Sequence, residues 1–467
     1  MTCCHSPHAD TQGRVTLSMT LPTLQTAPTE EEKLRALPWN LVHVGLTSIF
    51  FLWTFGGSIF VLFLSELGLP KGQIGALLSF FPFSGLIALV FAPLAARLGR
   101  KRVFLACYGS RYFVIANLLL LPWVLDRAGH SAGVAFLFII LLIVAILRAM
   151  GETAYYPWSQ EFIPNGVRGR FGAASTLVGT FASGAALLVG GYVIGSGTGL
   201  GRYLGLLGVG VIFGLVGIIV MKWVPGGAPV LNPESSQAHF TNLIAALRDP
   251  NLIAYLQGMG GVMVGSVLLT SFLPLYVKEQ IGLPAGTVVI LDTAVMVGGA
   301  LSSIGWGWAA DRVGSRPVMM SALGLGLLLP VGWALLPRQT PGAAAWCAAL
   351  YFAYGVVSSG SAIGAGRLLF NSVVPEQKST AYTAIYYAWM GLTGGAAPLL
   401  AGGILSVSTG WQARLGRLVI DGYHALFLLA LLLLAFGLWS YGRVRPDDVY
   451  STRAALRRAV RLALRRR

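Results

Sequence analysis

The sequence is poor in charged residues, and acidic side chains are the scarcest of them. Asp, Glu, Lys and Arg make up 11% of the 467 residues, and 17 acidic residues stand against 33 basic ones. A soluble domain carries about 25% charged residues, so this composition argues against a water-soluble fold and indicates lipid as the main solvent. The basic residues lie mostly in short loops and in the C-terminal tail, as is typical of membrane proteins. We therefore expect no nucleic-acid partner.

Cysteine is also scarce, and the motifs of nucleotide and metal chemistry are missing. The four cysteines imply no disulfide framework. The sequence has no Walker A loop, no His-Glu-x-x-His and no nucleophile elbow, so it predicts neither an ATP-driven pump nor an enzyme, and neither a cofactor nor a metal. Residues 1–38 lack the apolar core and cleavage site of a secretory signal peptide.

Long apolar runs, by contrast, fill most of the chain. About 20 mainly apolar residues are needed to cross the hydrocarbon core of a bilayer. None of the runs alternates with a period of two, which favours helices over a barrel. Twelve runs are long enough, at about 41–65, 72–96, 103–125, 133–158, 171–195, 203–224, 250–277, 286–310, 318–336, 343–369, 379–406 and 420–443.

The two halves of the chain repeat one another. Gly68–Gly72 (Gly-Leu-Pro-Lys-Gly) follows span one, and Gly282–Gly286 (Gly-Leu-Pro-Ala-Gly) follows span seven at an offset of 214 residues. The pair Gly190–Gly191 late in span five matches Gly402–Gly403 late in span eleven at an offset of 212. Landmarks in the same order at nearly one offset predict a duplicated six-span unit.

The organisation follows from these spans and from the distribution of basic residues. Loops after even-numbered spans carry eleven Lys and Arg residues and the opposite loops carry seven, which places both termini in the cytoplasm. The basic amphipathic C-terminal tail is expected to lie on anionic lipids of the inner leaflet. The predicted segments are a disordered cytoplasmic tail (1–40), a six-helix half (41–224), a cytoplasmic linker with a short surface helix (225–249), a second half (250–443) and the basic tail (444–467).

A charged hairpin motif ends span eight and begins the loop to span nine. It consists of Gly307, Asp311, Arg312, Gly314 and Arg316. An aspartate at the C-terminal end of a helix lies at the unfavourable pole of the helix dipole, so it needs another helix N-terminus or a nearby arginine. The glycines permit close helix approach and a tight reversal. We therefore expect this hairpin to contact another part of the bundle.

An incomplete copy of the same motif ends span two. It keeps Arg97, Gly99, Arg100 and Lys101 but has Ala96 at the position of the aspartate. The copy cannot make the contact that a carboxylate would make.

Twelve helices in two repeated halves, each with this hairpin after its second helix, resemble the major facilitator superfamily over roughly residues 40–443. The resemblance implies an all-α membrane fold of two pseudo-symmetric six-helix halves that rock around a central site. It implies that Asp311 docks at the start of helix five, near Arg168, and that Ala96 leaves the latch one-sided. It also places helix three outside the cavity wall, so Arg111 is expected to pack away from the cavity.

Few ionisable residues fall deep inside the spans, where each costs several kcal/mol unless it is paired. Arg148 and Glu152 are four residues apart on span four and can pair directly, either for proton coupling or substrate contact, or as a static ion pair. Asp292 is interpreted as a proton or cation site, or as a carboxylate paired near the outer headgroups. Arg367 could hold an anionic group of a substrate, although snorkelling to the cytoplasmic interface is favoured.

Tyr354 and Tyr386 are the tyrosines expected to face the cavity, while other aromatic residues suit the membrane interfaces. The sequence predicts a monomeric, multi-pass secondary transporter in the plasma membrane, the inner membrane in a bacterium. Its expected partners are a small organic solute, protons and the lipid bilayer. The alternatives are an efflux-type drug or metabolite antiporter, and a transporter-like sensor or assembly protein without cargo.

Overall fold

The computed structural model describes residues 28–229, 243–338, 340–375, 379–415 and 418–447. The predicted disorder of the N-terminal tail and the predicted helix of the basic C-terminal tail therefore lie outside the described residues. Of the predicted surface helix in the linker, residues 243–248 are described; residues 243–246 are helical and residues 247–248 form a turn.

The described part of the first half is helical from a capping box at Thr29, whose hydroxyl accepts a hydrogen bond from the backbone N–H of Glu32. The α-helices are α1 (Glu30–Thr54), α2 (Gly57–Glu66), α3 (Lys71–Ser84), α4 (Ala88–Leu98), α5 (Arg100–Ala116), α6 (Leu121–Phe162), α7 (Arg168–Gly195) and α8 (Gly201–Val220).

The described part of the second half is also helical, apart from one short antiparallel hairpin before its last helix. The elements are α9 (Pro250–Ser271), α10 (Leu273–Tyr276), α11 (Ala285–Val313), α12 (Ser315–Gly326), α13 (Leu328–Ala334), α14 (Ala343–Leu368), α15 (Ser379–Val407), β1 (Gln412–Leu415), β2 (Leu418–Asp421) and α16 (Gly422–Tyr441).

Ten helical segments of the described chain are long and apolar enough to cross a membrane, or eleven if the bent pair α3–α4 forms one span. The predicted number of twelve differs because Arg100–Phe162 counts as one segment of 63 residues. A straight helix of that length would extend ~95 Å, about three times the hydrocarbon core. Gly129 interrupts it with φ 82° and ψ 173°. The number twelve stays a prediction.

Spans one and seven are each interrupted at corresponding positions of the two halves. In the first, α1 ends at Thr54 and α2 begins at Gly57, whose φ is +58°. In the second, α9 ends at Ser271 and α10 begins at Leu273. A break leaves backbone N–H groups without intrahelical partners. Paired breaks of this kind in the two halves of a transporter point to its binding site.

Apart from smaller contacts of α2 with α10 and α11, the described residues of the two halves meet along two helix pairs, α3 with α15 and α7 with α11. These are spans two and eleven, and spans five and eight, which exchange under the sequence repeat. The contacts therefore have the pseudo-two-fold relation that the duplication predicts. In the close approach of α7 and α11, a Cβ atom on Gly286 would lie 2.5 Å from the carbonyl oxygen of Gly191 and 2.7 Å from the Cα of Gly195.

Beyond the contact of Gly191 with Gly286, α7 and α11 are farther apart. Gly184 lies on the same face of α7 as Gly191, two turns away, yet a Cβ atom there would meet nothing within 4 Å. On α11, Leu301 and Ile304 continue the contacting face and are 67% and 79% exposed. We call the end that carries residues 66–75, 191–202, 278–290 and 398–409 the closed end, and the end that carries the Gly99 and Gly314 hairpins the open end.

Asp421 fastens the β-hairpin to α16 at the closed end. Its carboxylate accepts from the backbone N–H of Tyr423 at 3.0 Å and pairs with Arg338 at 2.9 Å and with Nδ1 of His424 at 2.9 Å. Burial by itself raises the pKa of Asp421. The hydrogen bond from His424 and the charge of Arg338 together lower the pKa by more than burial raises it, so the pKa lies below its ordinary value. The ionised carboxylate therefore stabilises the fold.

We expect Asp421→Asn to lower the stability of the protein at neutral pH by about 1.5–3 kcal/mol, because asparagine keeps the cap but loses the charged hydrogen bonds. The stabilisation is present above the unfolded pKa of about 3.9 and is lost as the pH falls through the lower folded pKa. Melting temperatures of wild type and variant should therefore begin to converge below about pH 4 and coincide once the pH is below the folded pKa.

Asp249→Asn is the matched control for this substitution. Asp249 also caps a helix, accepting from the backbone N–H of Asn251 at 2.9 Å, and it accepts from the hydroxyl of Tyr382 at 2.9 Å, but among the described residues it forms no ion pair. Its replacement should lower the melting temperature less than Asp421→Asn does, because the asparagine oxygen can keep both hydrogen bonds and no ion pair is lost. An equal loss of stability in the two variants would contradict the role given to the Arg338 pair.

Candidate functional site

A cavity of about 860 Å³ lies between the two halves. Its walls are mostly apolar and come from both halves, including the breaks in spans one and seven. A large, mainly apolar cavity with a few convergent polar groups is the usual form of a small-molecule site. Its polar residues are Thr47, Ser48, Ser58, Tyr108, Arg111, Arg148, Glu152, Ser183, Thr270, Ser271, Asp292, Tyr351 and Tyr354.

Arg148 and Glu152 form a bidentate ion pair on the cavity wall. Nε and Nη2 of Arg148 donate to the two carboxylate oxygens of Glu152 at 2.9 and 3.0 Å. The hydroxyl of Tyr108 donates to the same carboxylate at 3.4 Å. Both charged side chains are about one quarter to one third exposed, so solute and water in the cavity can reach them. The i, i+4 spacing on α6 places the pair as the sequence indicates.

Asp292 connects the two halves at the break in span one. Its Oδ2 accepts from the backbone N–H of Ser58 at 3.0 Å, so a carboxylate of α11 lies at the N-terminus of α2. An anion at this pole of a helix satisfies an unpaired N–H group and interacts favourably with the helix dipole. The carboxylate lines the central cavity, so the alternative of pairing near the outer headgroups is not what the structure shows.

The complete hairpin motif does not reach the other half in this structure. Asp311 pairs with Arg367 of α14 at 2.6 Å, and Arg367 also donates to the hydroxyl of Ser315 at 3.3 Å. The expected docking near Arg168 is absent because the halves are apart at the open end; Arg168 donates to the carbonyl groups of Gln160 and Ile163 instead.

The other members of the motif hold the hairpin within its own half. The guanidinium of Arg312 lies over the ring of Trp308 at 4.4 Å, and Arg316 donates to the carbonyl oxygen of Gly442. Gly314 has φ +95°, a region that favours glycine. A Cβ atom on Gly307 would meet nothing within 4 Å, so its predicted close contact is not formed here.

The incomplete hairpin uses the opposite charge arrangement. Arg100 pairs with Glu161 near the end of α6, and Glu161 also accepts from the backbone N–H of Gly227 at 2.8 Å. Lys101 donates to the carbonyl oxygen of Lys222 at 2.8 Å. Each hairpin thus pairs with the fourth span of its own half, but the acid is on the hairpin in one half and on the span in the other.

The remaining members of the candidate set divide between the cavity and its surroundings. Gly99 has φ +94° and reverses the chain as Gly314 does, and Arg97 is exposed. Tyr354 lines the cavity, as expected. Tyr386 does not line the cavity; its ring packs 6.3 Å from that of Tyr255 and 5.1 Å from that of Tyr387. Arg367 also lies outside the cavity, in the pair with Asp311.

Arg111 is the cavity residue that the sequence argument misplaced. It was expected to pack away from the cavity on helix three, and it does pack on aromatic rings, with its guanidinium carbon 3.6 Å from the centre of the Tyr108 ring. It nevertheless lines the cavity. Its position some nine residues inside span three is the one sequence signal that could have indicated this.

Two pseudo-symmetric helical halves around a central cavity define the class of membrane carriers. The sequence matches the family described as Major Facilitator Superfamily over residues 42–398 and 264–467, and the chain belongs to this family. It is therefore a membrane solute transporter with a small-molecule substrate and a lipid environment, and it is not an enzyme.

Solved transporter structures share the fold at low sequence identity, and no curated protein matches the sequence. A point mutant of the nucleoside transporter NupG has a TM-score of 0.65 and 14% identity over 88% of this chain and 98% of its own. A bacterial homologue of the human lysosomal transporter Spinster, inward-facing and unoccupied, has a TM-score of 0.64 and 15% identity over 89% of this chain and 98% of its own. An inward-facing bacterial homologue of the iron transporter ferroportin has a TM-score of 0.60 and 12% identity over 89% of this chain and 98% of its own.

Proposed function

We propose that the protein is a proton-coupled secondary transporter that moves a mid-sized organic solute across the cytoplasmic membrane by alternating access. The single observation that carries this proposal is the cavity between the halves, which the described residues close by inter-half contacts at one end only. A carrier must present its site to one side at a time, and a closure of this kind meets that requirement.

We assign the open end to the cytoplasm. The hairpins at this end lie in the loops with more Lys and Arg residues, which are the loops that stay inside. The inward-facing states of the Spinster and ferroportin homologues support the same assignment. The contacts at the closed end would then form the outer gate.

The outer gate is held by charges as well as by close helix packing. Lys71 pairs with Glu279 at 2.8 Å, and Lys278 pairs with Glu66 at 3.5 Å, each across the two halves. Glu66 also pairs with Arg202 of its own half at 3.4 Å. At the open end, the Asp311–Arg367 and Arg100–Glu161 pairs each stay within one half. We infer that closing the open end moves Asp311 from Arg367 to the start of α7.

Glu152 is the carboxylate that we assign to proton coupling. Its charge is balanced by Arg148, and the pair is accessible from the cavity. A carboxylate binds a proton more readily when its cationic partner moves away or when a second negative charge approaches. A solute that disturbs the pair would therefore change the protonation of Glu152.

Asp292 has a second, mechanical role in the proposal. A proton on its carboxylate would remove the negative charge that lies at the N-terminus of α2 and weaken the hydrogen bond from Ser58. That bond crosses the two halves, so its loss would favour opening of the outer gate.

The transport proposal is tested with purified full-length protein in liposomes that contain a pH-sensitive dye. Pools of sugars, nucleosides, amino acids, organic acids and cationic drugs are added outside. Solute uptake together with proton movement supports the proposal, whereas proton movement opposite to the solute favours the antiporter. No movement of any solute or proton would contradict transport and favour the cargo-free alternative.

We expect Asp292→Asn to shift the protein from the state seen here towards the state with an open outer gate. Asparagine has the shape of aspartate but lacks the charge that interacts with the N-terminus of α2, an interaction of about 0.3–2 kcal/mol. The population ratio should change by about two- to thirtyfold. The measurement is the distance between spin labels on Thr198 and Thr409, in a protein whose native cysteines have been replaced.

The matched control is Thr293→Ser, which changes the next residue of α11. Its hydroxyl donates to the carbonyl oxygen of Ile290 within the same helix, so it makes no inter-half bond. The label distances in this control should match those of the wild type. An unchanged distance distribution in Asp292→Asn would contradict the gate role of Asp292.

A further inference from the structure

We propose that the solute is an organic anion, with a carboxylate or phosphate group that binds Arg111 and an apolar body that fills the rest of the cavity. The inference rests on the transport function proposed above and names the chemical class of the substrate. It is carried by a buried cation in the cavity wall that lacks an acidic partner.

Arg111 is 2% exposed and lies on the cavity wall. Its Nη2 donates to the hydroxyl of Tyr112 at 3.0 Å, but its Nε is buried without any acceptor. No ion pair to Arg111 occurs in the part of the chain that the structure describes. A guanidinium carries five N–H donors in a planar arrangement that suits carboxylate and phosphate oxygens. Arg111 therefore has hydrogen-bonding capacity that the protein leaves unused.

The carboxylates that share the cavity are already engaged. Glu152 binds Arg148 through both of its oxygens, and Asp292 lies at the N-terminus of α2. Two acidic and two basic residues line the cavity, but the positive end of α2 neutralises one of the acids. One guanidinium thus remains without a counter-charge.

Aromatic rings surround Arg111 without replacing that counter-charge. Its guanidinium carbon lies 3.6 Å from the ring centre of Tyr108, 4.9 Å from that of Tyr112 and 5.2 Å from that of Phe50. Cation–π contacts offset part of the desolvation of an arginine. They do not provide the full negative charge that a buried cation in a membrane protein normally pairs with. An anionic group of the solute would supply it.

The rest of the cavity indicates what the anionic group is attached to. Most of the wall is apolar, so a small inorganic anion would leave most of the cavity unfilled. An organic acid with an aromatic or aliphatic body fits both parts of the site. The main apolar wall residues are Phe51, Leu52, Phe55, Leu78, Leu187, Met263, Val267, Leu273, Val295 and Met296.

Tyr108 joins the anion site to the coupling carboxylate. Its ring covers Arg111, and its hydroxyl donates to Glu152 at 3.4 Å. An anion bound at Arg111 would bring a second negative charge towards Glu152 and so favour proton binding there. Solute and proton would then cross together, which makes a symporter the expected carrier of such an acid.

The test compares acids with neutral and cationic compounds that have the same apolar body. Aryl and alkyl carboxylates and phosphate monoesters, their primary amides and the corresponding amines are added to the purified full-length protein. Thermal melting reports binding, since a ligand of the native state raises the Tm. The variants are Arg111→Gln, Arg111→Lys and Tyr112→Phe, the last of which removes the static hydrogen bond but keeps the cation. Each compound that binds is then assayed for uptake in liposomes.

We expect at least one acid to raise the Tm while its amide and amine do not. Arg111→Gln should weaken binding by about tenfold or more, Arg111→Lys should retain part of it, and Tyr112→Phe should bind as the wild type does. The unliganded Tm of Arg111→Gln and Tyr112→Phe should be similar, which separates a binding defect from a folding defect.

Two results would overturn the inference in different ways. Uptake of a neutral or cationic solute that persists in Arg111→Gln would refute the anion site and leave the transporter proposal intact. Equal loss of binding in Tyr112→Phe and Arg111→Gln would show that Arg111 only holds the local packing. If no compound of any charge binds or is taken up, the proposed transport function itself is contradicted.

Discussion

Gly286→Val should stop solute uptake almost completely and hold the protein with its outer gate open. Even the first added carbon would lie 2.5 Å from the carbonyl oxygen of Gly191 and 2.7 Å from the Cα of Gly195. These are backbone atoms, so α7 and α11 must move apart to accommodate the side chain. We expect uptake to fall at least tenfold. This corresponds to destabilising the state described here by about 1.4 kcal/mol or more. Uptake in liposomes and label distances between Thr198 and Thr409 measure the two effects.

Gly305→Val provides the control on the same helix. Gly305 is exposed, and a Cβ atom there would meet nothing within 4 Å. Valine at this position adds the same side chain to α11 without touching α7, so uptake should remain close to that of the wild type. If Gly286→Val transports normally, the Gly191–Gly286 contact is not part of the transport cycle.

Glu152→Gln should abolish the accumulation of solute against its gradient while leaving downhill exchange intact. Glutamine keeps the size of the side chain but cannot bind and release a proton, so the driving force of the proton gradient is lost. For one proton per solute and an imposed gradient of about two pH units, accumulation should fall by about a hundredfold, because each pH unit is worth a factor of about ten in the accumulation ratio. The measurement compares uptake driven by an imposed pH gradient with exchange of labelled solute at equal pH on both sides.

Glu31→Gln is the control for Glu152→Gln. Glu31 pairs with Arg35 with the same i, i+4 spacing, but their side chains are 74% and 79% exposed on the surface of α1. Such an exposed pair contributes little, so accumulation should be unchanged. Accumulation that survives in Glu152→Gln would rule out Glu152 as the coupling carboxylate and leave its pair with Arg148 as a structural contact.

Much of the fold follows directly from the sequence because its determinants are local or periodic. Apolar runs long enough to span the bilayer, and the repeat at about 212–214 residues, predict two helical halves. The positive φ angles of Gly99 and Gly314 follow from the need for a tight reversal in each hairpin. The Arg148–Glu152 pair depends only on helical spacing, and it forms as expected.

Other features depend on how distant segments meet, and the sequence does not specify them. The break in span one occurs at Gly56 and Gly57, but 60 glycines in the chain make this pair unremarkable. To predict that Asp292 accepts a hydrogen bond from Ser58, one must know that α2 begins opposite Asp292. Arg111 was misplaced because assigning a whole helix to the outside ignores the reach of a long side chain.

The partner of Asp311 could not be predicted because it depends on the state of the protein. Its side chain is 68% exposed in the pair with Arg367, so the pair is weak and easily exchanged. A motif that binds different partners in two states has no unique contact to infer from one sequence. Arg367 pairs with Asp311 in this state and lies outside the cavity, and this position is compatible with the snorkelling that the sequence favours.

The polar contacts between the two halves differ in how far they are exposed to solvent. Lys71 and Glu279 are 27% and 32% exposed, so dissolved ions reach this pair and weaken it in part as the ionic strength rises, although its 2.8 Å contact is shorter than the Debye length of about 8 Å at physiological ionic strength. The Asp292 bond to α2 lies inside the bundle, where dissolved ions do not screen it in this way. If the closed end faces outward, as proposed, external salt would therefore weaken the outer pair slightly, whereas protons would act on Asp292. A cell moved from fresh to saline surroundings would then have a carrier whose outer gate opens slightly more readily, with the proposed proton-dependent step unaltered.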